Sequence, residues 1–249
     1  MEHARLVKQK LFIGLFAFII ASPTFAQTFG LSFSGGLNNS SLKDLKNITN
    51  DYIETFHNLG IEVHTFDNFP GYYYVDSRFC WYLRDNVYLG IHLLYTSTGS
   101  RAHYIDYSGE LRLDQIVELF APGLDFGYRA ALKNHFELWI TLQADLLKTN
   151  YNFTHLFKLW DKGNTTRLKY TSNGASFEPG IRVIYLFHNF EIGLQFNMRL
   201  TTAKYLTAKI DGRKEYLYLN GQQLKADWDG FRIGLTVGWR FNFTKKVSK

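Results

Sequence analysis

Gly230-Phe231-Arg232-Ile233-Gly234-Leu235-Thr236-Val237-Gly238-Trp239-Arg240-Phe241-Asn242-Phe243 alternates without a slip. Its odd positions are all apolar, and its even positions are all glycine, arginine, threonine or asparagine. Successive side chains of an extended strand point to opposite faces, so period two marks a strand with one apolar and one polar side. A helix would need apolar residues at three- and four-residue spacing, which this stretch lacks.

The same grammar recurs upstream in seven more runs, at 29–37, 73–83, 87–95, 120–128, 136–146, 177–185 and 190–200. Across all eight, the apolar faces have 45 positions, among which stand a single serine, Ser77, and no charge. Hydrocarbon demands such a face, because Arg or Lys on it would cost about 2–4 kcal/mol at a bilayer midplane. The connections at 39–71, 84–86, 97–119, 130–135, 147–176, 186–189 and 202–229 alternate strictly between long and short. The expected fold is therefore all-β: an eight-stranded antiparallel up-and-down transmembrane β-barrel with four long extracellular loops and three short periplasmic turns. Pro122 and Pro179 lie within strands although a closed barrel has no edge, and each precedes a glycine, so β-bulges are expected there.

A soluble barrel has the same period turned inside out, and three features separate the two. None of the fourteen lysines after residue 26 occupies a polar strand position. Gly30, Gly36, Gly90, Gly127, Gly180, Gly193, Gly230, Gly234 and Gly238 stand there instead, thinning the contents of a narrow lumen. Phe29, Trp81, Tyr128, Phe136, Tyr185, Phe190, Trp239 and Phe241 all fall on apolar faces near short turns or strand-run ends, as an interfacial aromatic girdle would.

The chain has 249 residues, 17% of them aromatic, and a formal charge of +6. Arg5, Lys8 and Lys10 precede an apolar run, 11–21, that is short for a helical span, and Ser22 to Ala26 supplies a small residue at the cut. Residues 1–26 thus read as a cleaved signal peptide, with an N-terminal anchor as the alternative. That leaves 27–243 as the barrel and 244–249 as a basic tail, either solvated or touching anionic lipid. The remaining charge of 25 − 21 = +4 is scattered, so no nucleic-acid surface is expected. The single cysteine, Cys80, rules out an internal disulfide framework.

Inward positions carry six acids, Asp76, Asp125, Glu137, Asp145, Glu178 and Glu191, and six arginines, Arg78, Arg129, Arg182, Arg199, Arg232 and Arg240. Eight strands enclose a space that side chains fill, so these charges are expected to pair as a lumen network that does not conduct. Catalytic, metal and cofactor sites find no motif: there is no phosphate loop and no His-Glu-x-x-His pattern. His92 and His135 read as inward-facing, packed histidines, and Cys80 as a buried thiol. A lipid-modifying hydrolase or acyltransferase stays open as an alternative, as does a narrow pore.

The loops are rich in aromatics, at Tyr104-Ile105-Asp106-Tyr107, Tyr151-Asn152-Phe153, Leu159-Trp160-Asp161 and Tyr216-Leu217-Tyr218. Ile48, Tyr52 and Phe56, after Asn47, have the spacing of a short amphipathic helix. Exposed Tyr and Trp are preferred contact residues, so a structural or surface-binding role through the loops is expected. Its partners would be outer-membrane lipid and an extracellular or outer-membrane protein.

The start 29–38, the segment Leu93-Leu94-Tyr95-Thr96-Ser97-Thr98-Gly99-Ser100, the Pro-Gly strands and the closing 234–241 resemble the PorT-like outer-membrane β-barrel family of Bacteroidetes. The resemblance spans nearly the whole chain after residue 26 and implies a Gram-negative outer membrane. It departs at the tail after Phe243, because many such barrels end on the aromatic. One member type serves protein secretion, which makes an accessory secretion component a further alternative.

Overall fold

The computed structural model describes residues 28–242 apart from 108, 161, 211 and 212, so the expected signal peptide, Phe243 and the basic tail lie outside the described residues. Eight long strands carry the fold: β1 (Thr28–Ser40), β3 (Tyr72–Arg84), β4 (Val87–Ile105), β5 (Gly109–Lys133), β6 (Phe136–Leu159), β7 (Lys162–Phe187), β8 (Phe190–Ala203) and β13 (Gly230–Asn242). Each pairs antiparallel with the next, β8 pairs with β13, and β13 returns to β1. The result is a closed eight-stranded barrel. Between these strands lie helix α1 (Lys43–His57), β2 (His64–Asn68), and the small strands β9 (Thr207–Ile210), β10 (Arg213–Tyr216), β11 (Tyr218–Leu219) and β12 (Gln222–Gln223).

At one end the strands are joined by two-residue turns at 85–86, 134–135 and 188–189. Asn134 and His188 take positive φ, 56° each, as tight hairpins between twisted strands require. Bulges occur just above two of these turns, at Tyr82/Arg84 and Arg129/Ala131.

The two prolines behave differently from the sequence expectation. Pro122 faces Leu93 and Pro179 faces Leu142 within continuous ladders on one side. On the other side, pairing skips Ala121 and Pro122, or Glu178 and Pro179, and resumes in unchanged register at Gly123↔Asp145 and Gly180↔Asn197. No residue is inserted, so neither site is a bulge; the ladder simply opens where the pyrrolidine nitrogen has no proton to donate.

Strands β4 to β7 run well past the apolar runs, so the long connections expected at 97–119 and 147–176 are largely strand. Their polarity inverts on the way. On β5 the outward side chains are Tyr128, Phe126, Leu124 and Phe120 in the lower part, then Glu118, Asp114, Arg112 and Glu110 above, with Ile116 among them. The inward ones change from Gly127 and Asp125 to Leu119, Val117, Leu113 and Leu111, all four buried. Below the crossover the barrel is polar inside and apolar outside; above it the same sheet is built like a water-soluble protein. The outward apolar rows span about ten residues, roughly 25 Å along the membrane normal for strands rising ~3.3 Å per residue and tilted ~40°.

Glycine is required where chains approach closely. On β5, a Cβ at Gly127 would overlap the Tyr88 ring, which lies across the lumen floor. At the β1–β13 seam, Gly36 stands opposite Gly234, and a Cβ on Gly36 would strike the backbone of Ile233.

Candidate functional site: a filled lumen under an extracellular cap

All twelve charged residues singled out in the sequence lie in the lumen, in three tiers. Nearest the short turns, Glu137 accepts from Arg129 Nη1 at 2.8 Å, Arg240 Nη2 at 2.5 Å and Trp139 Nε1 at 2.8 Å. Arg240 Nε donates to Glu191 at 2.9 Å. In the middle tier, Asp125 holds Arg78, Arg182 at 3.3 Å and the Tyr88 hydroxyl at 3.1 Å. Asp76 also takes Arg78, at 3.0 Å. In the upper tier a single carboxylate, Glu178, binds both Arg199 and Arg232, and Arg232 Nη2 reaches Gln143 Oε1 at 2.6 Å. Eleven of the twelve are buried, Arg129 being partly exposed. Burial at such depth is tolerable only with this pairing, since an unmatched charge there costs several kcal/mol.

Three parts of the network were not anticipated. Asp145 finds no arginine; it accepts from Ser176 Oγ at 2.7 Å and sits 2.7 Å from His92 Nε2, while His92 Nδ1 is 3.1 Å from Asp76. His92 is therefore a bridge between two tiers. Guanidinium groups lie over aromatic rings on the polar faces: Arg232 over Tyr74 at 4.9 Å, Arg240 over Tyr82 at 4.8 Å and Arg182 over Tyr88 at 5.6 Å. Their inward parity was the available signal. His135, by contrast, is exposed in the β5–β6 turn against Tyr185, because the turn ends the alternation before it. The two histidines thus share no site. Cys80 is buried beside Tyr88, Trp139 and Ile184.

The girdle positions run around the turn end. Trp81, Phe29 and Phe241 are successive cross-strand neighbours, and Trp239 faces Phe190 as Phe136 faces Tyr185. Tyr128 continues the row between Val87 and Ile140.

The opposite mouth is stoppered. Leu42 and Leu45, at the start of α1, are fully buried with Trp228, Leu206, Leu119, Leu147 and Tyr151 in one apolar cluster. Trp228 Nε1 donates to Thr149 Oγ1 at 3.0 Å, and Tyr72 Oη to Ser40 Oγ at 2.7 Å. The helix begins at Lys43, earlier than Asn47, with Leu42 at φ 40° turning the chain inward. Farther along α1, Ile48, Tyr52 and Phe56 pack on Val63, Ala102 and Leu113. Burial pushes the Tyr52 hydroxyl up to about 12. It also lowers the pKa of His155, whose ring meets Tyr52 edge-on at 5.6 Å. The loop aromatics divide accordingly: Tyr151 and Phe153 face the interior, whereas Tyr107, Trp160, Tyr205, Tyr216 and Tyr218 are exposed. Among the described residues, no group of His, Cys, Asp and Glu converges as a metal site.

A closed barrel with an uncharged apolar exterior, an aromatic row at its turn end and long connections at the other is an integral outer-membrane β-barrel protein. No family model matches the chain, and no curated protein does. Among solved structures, it is similar to the attachment invasion locus protein Ail of Yersinia pestis, at 10% identity, covering 87% of this chain and 99% of Ail with a TM-score of 0.34. OprG from Pseudomonas aeruginosa is 12% identical over 87% of this chain and 97% of its own, TM-score 0.42. A major outer membrane protein from Thermus thermophilus is 12% identical over 86% and 99%, TM-score 0.42.

Proposed function

We propose that the protein is a non-conducting, non-enzymatic barrel that serves as a membrane-held platform for its extracellular cap, related to the PorT-like barrels of Bacteroidetes. The observation that carries this reading is the double closure of the lumen. Paired charges fill it from the turns to Glu178, and the Leu42–Trp228 cluster seals the far mouth. An ion crossing it would have to break buried guanidinium–carboxylate pairs and then enter an apolar layer. Against catalysis, His92 is bound on both nitrogens to carboxylates, and His135 lies at the opposite, turn end. The cap offers an outer partner protein exposed Tyr107, Trp160, Tyr205, Tyr216 and Tyr218, residue types that dominate contact energies. The PorT-like kinship rests on the stretches quoted above.

Planar-bilayer recording tests closure: the purified protein is expected to give no stable conductance steps, and reproducible steps at the single-barrel level would refute it. Cross-linking from the exposed tyrosines on intact cells, followed by mass spectrometry, is expected to recover one recurrent protein partner that disappears when Tyr216 and Tyr218 are replaced by serine.

A further inference from the structure

The barrel wall carries a break at the outer edge of the apolar belt. Pairing of β3 with β4 stops at Tyr74↔Thr96, and pairing of β2 with β4 starts only at Asn68↔Ser100. Between these points five residues, 69–73, oppose three, 97–99. Within this surplus Pro70 and Gly71 are exposed, and Phe69 N to Gly99 O at 3.1 Å and Thr96 Oγ1 to Tyr73 O at 2.8 Å are bonds across the gap. A cleft of about 1120 Å³ opens there, lined by Tyr73, Tyr95, Ser97, Gly99, Arg101 and Ile116 among others. A second cleft of about 340 Å³ continues from it down the lipid-facing side, sharing Val75 and Tyr95 and reaching Phe33, Leu93, Phe120 and Ser77. Ser77 is the one serine on the 45-position apolar face, and it lies in this trough.

We infer that this trough holds one molecule of a phosphorylated outer-leaflet glycolipid, with an acyl chain in the lower cleft and the phosphosugar head in the upper one. Depth decides that the occupant is a lipid: Val75, Leu93 and Phe120 face hydrocarbon, and Tyr73, 78% exposed, sits on the top rung of the belt. The long connections put this end of the barrel in the outer leaflet. Size decides for a bulky head, since the upper cleft is about threefold larger than the lower. Polarity fits as well. Arg101 and Arg112 line the upper cleft and share Asp114, their Nε atoms 2.5 and 3.3 Å from its oxygens. Arg101 Nε donates to Asp114, and Arg112 lies between Asp114 and Glu110, whose Oε1 is 3.7 Å from its Nη1, so two guanidinium groups stand together at the cleft, and such forks suit a phosphate.

Native mass spectrometry of the detergent-solubilised full barrel tests this, with hexa-acylated lipid A and a phosphatidylglycerol of matched chain length as competing probes. One saturable lipid A adduct per barrel is expected, at least tenfold preferred over phosphatidylglycerol. Ser97→Trp, which fills the waist of the trough, and the pair Arg101→Gln with Arg112→Gln, which lie above the belt, should each weaken it tenfold or more. Heat modifiability checks that the variants are folded, and the arginine pair keeps the test readable if Ser97→Trp does not fold. Equal binding of both lipids, non-saturable adducts, or unchanged binding in the folded arginine pair would overturn the inference.

Discussion

The crossover on β5 makes two substitutions of the same kind, on the same strand and the same outward parity, diverge in cost. Leu124 and Ile116 are similarly exposed, at 53% and 48%, and differ mainly in height. Leu124 is the middle residue of the lower apolar row, and Ile116 lies eight positions nearer the start of the strand. At ~3.3 Å per residue and ~40° tilt, that is about 20 Å along the membrane normal, against a half-thickness of about 12 Å. Leu124→Arg therefore puts a guanidinium at the midplane, costing about 2–4 kcal/mol, while Ile116→Arg puts it in the interfacial or aqueous layer at about 0–1 kcal/mol. The gap of about 2–3 kcal/mol corresponds to roughly 30- to 150-fold in the folding equilibrium. Reversible urea unfolding in lipid vesicles, followed by tryptophan fluorescence, measures both variants against wild type. If Ile116→Arg proves as costly as Leu124→Arg, the belt extends higher than the polarity inversion says, and the assignment of 109–119 to the extracellular side is wrong.

Two further perturbations probe the lumen and the cap. Glu178→Ala strands two buried guanidinium groups, those of Arg199 and Arg232, and should cost about 3–5 kcal/mol in the same unfolding assay, whereas a loss under about 1 kcal/mol would mean the pairs contribute little. Partial burial lowers the folded pKa of His155 below its unfolded one of about 6.5. Its contribution is full above that value and is lost as pH falls through the folded pKa. Protease resistance of the cap should thus drop as pH falls below about 6.5 in wild type and hold steadier in His155→Phe; identical profiles would remove His155 as the cause.

What could be read from the chain alone was whatever the bilayer dictates. An apolar face free of charge has one explanation, and it located the membrane-facing part of every barrel strand. Above the belt the same period-two pattern continues in 109–119 and 147–159, but with its sense reversed, so a search for one apolar phase ends at Phe120 and Leu146 and reads loop beyond. The α1 spacing Ile48, Tyr52, Phe56 was visible, whereas its burial under Leu42 and Leu45 depends on contacts with residues near 206 and 228 that no local pattern encodes. Lumen charges were legible as a set and not as pairs. Parity gives the face, but which arginine meets which acid depends on strand stagger, and so Asp145 went to His92 and Ser176. The prolines show a limit of another kind: a rule that forbids proline in a paired strand predicted an inserted residue, where the barrel instead gives up a short stretch of one ladder.

The seam between β1 and β13 joins the two ends of the described barrel. Its buried Ser34–Thr236 hydroxyl contact links positions 202 residues apart, and Ser41 N to Asp229 O and Leu42 N to Asp227 O knot the stopper across the same line. The other seven interfaces of the ring are between strands that follow one another along the barrel, five of them hairpins or near-hairpins whose loops close locally. The largest single loop-closure cost of the ring therefore falls on this one ladder. The Gly36–Gly234 approach, where neither chain carries a side chain to clear, lies within it. A barrel that closes there acquires its lid in the same step, because the residues that zip the wall run directly into the residues that fill the mouth.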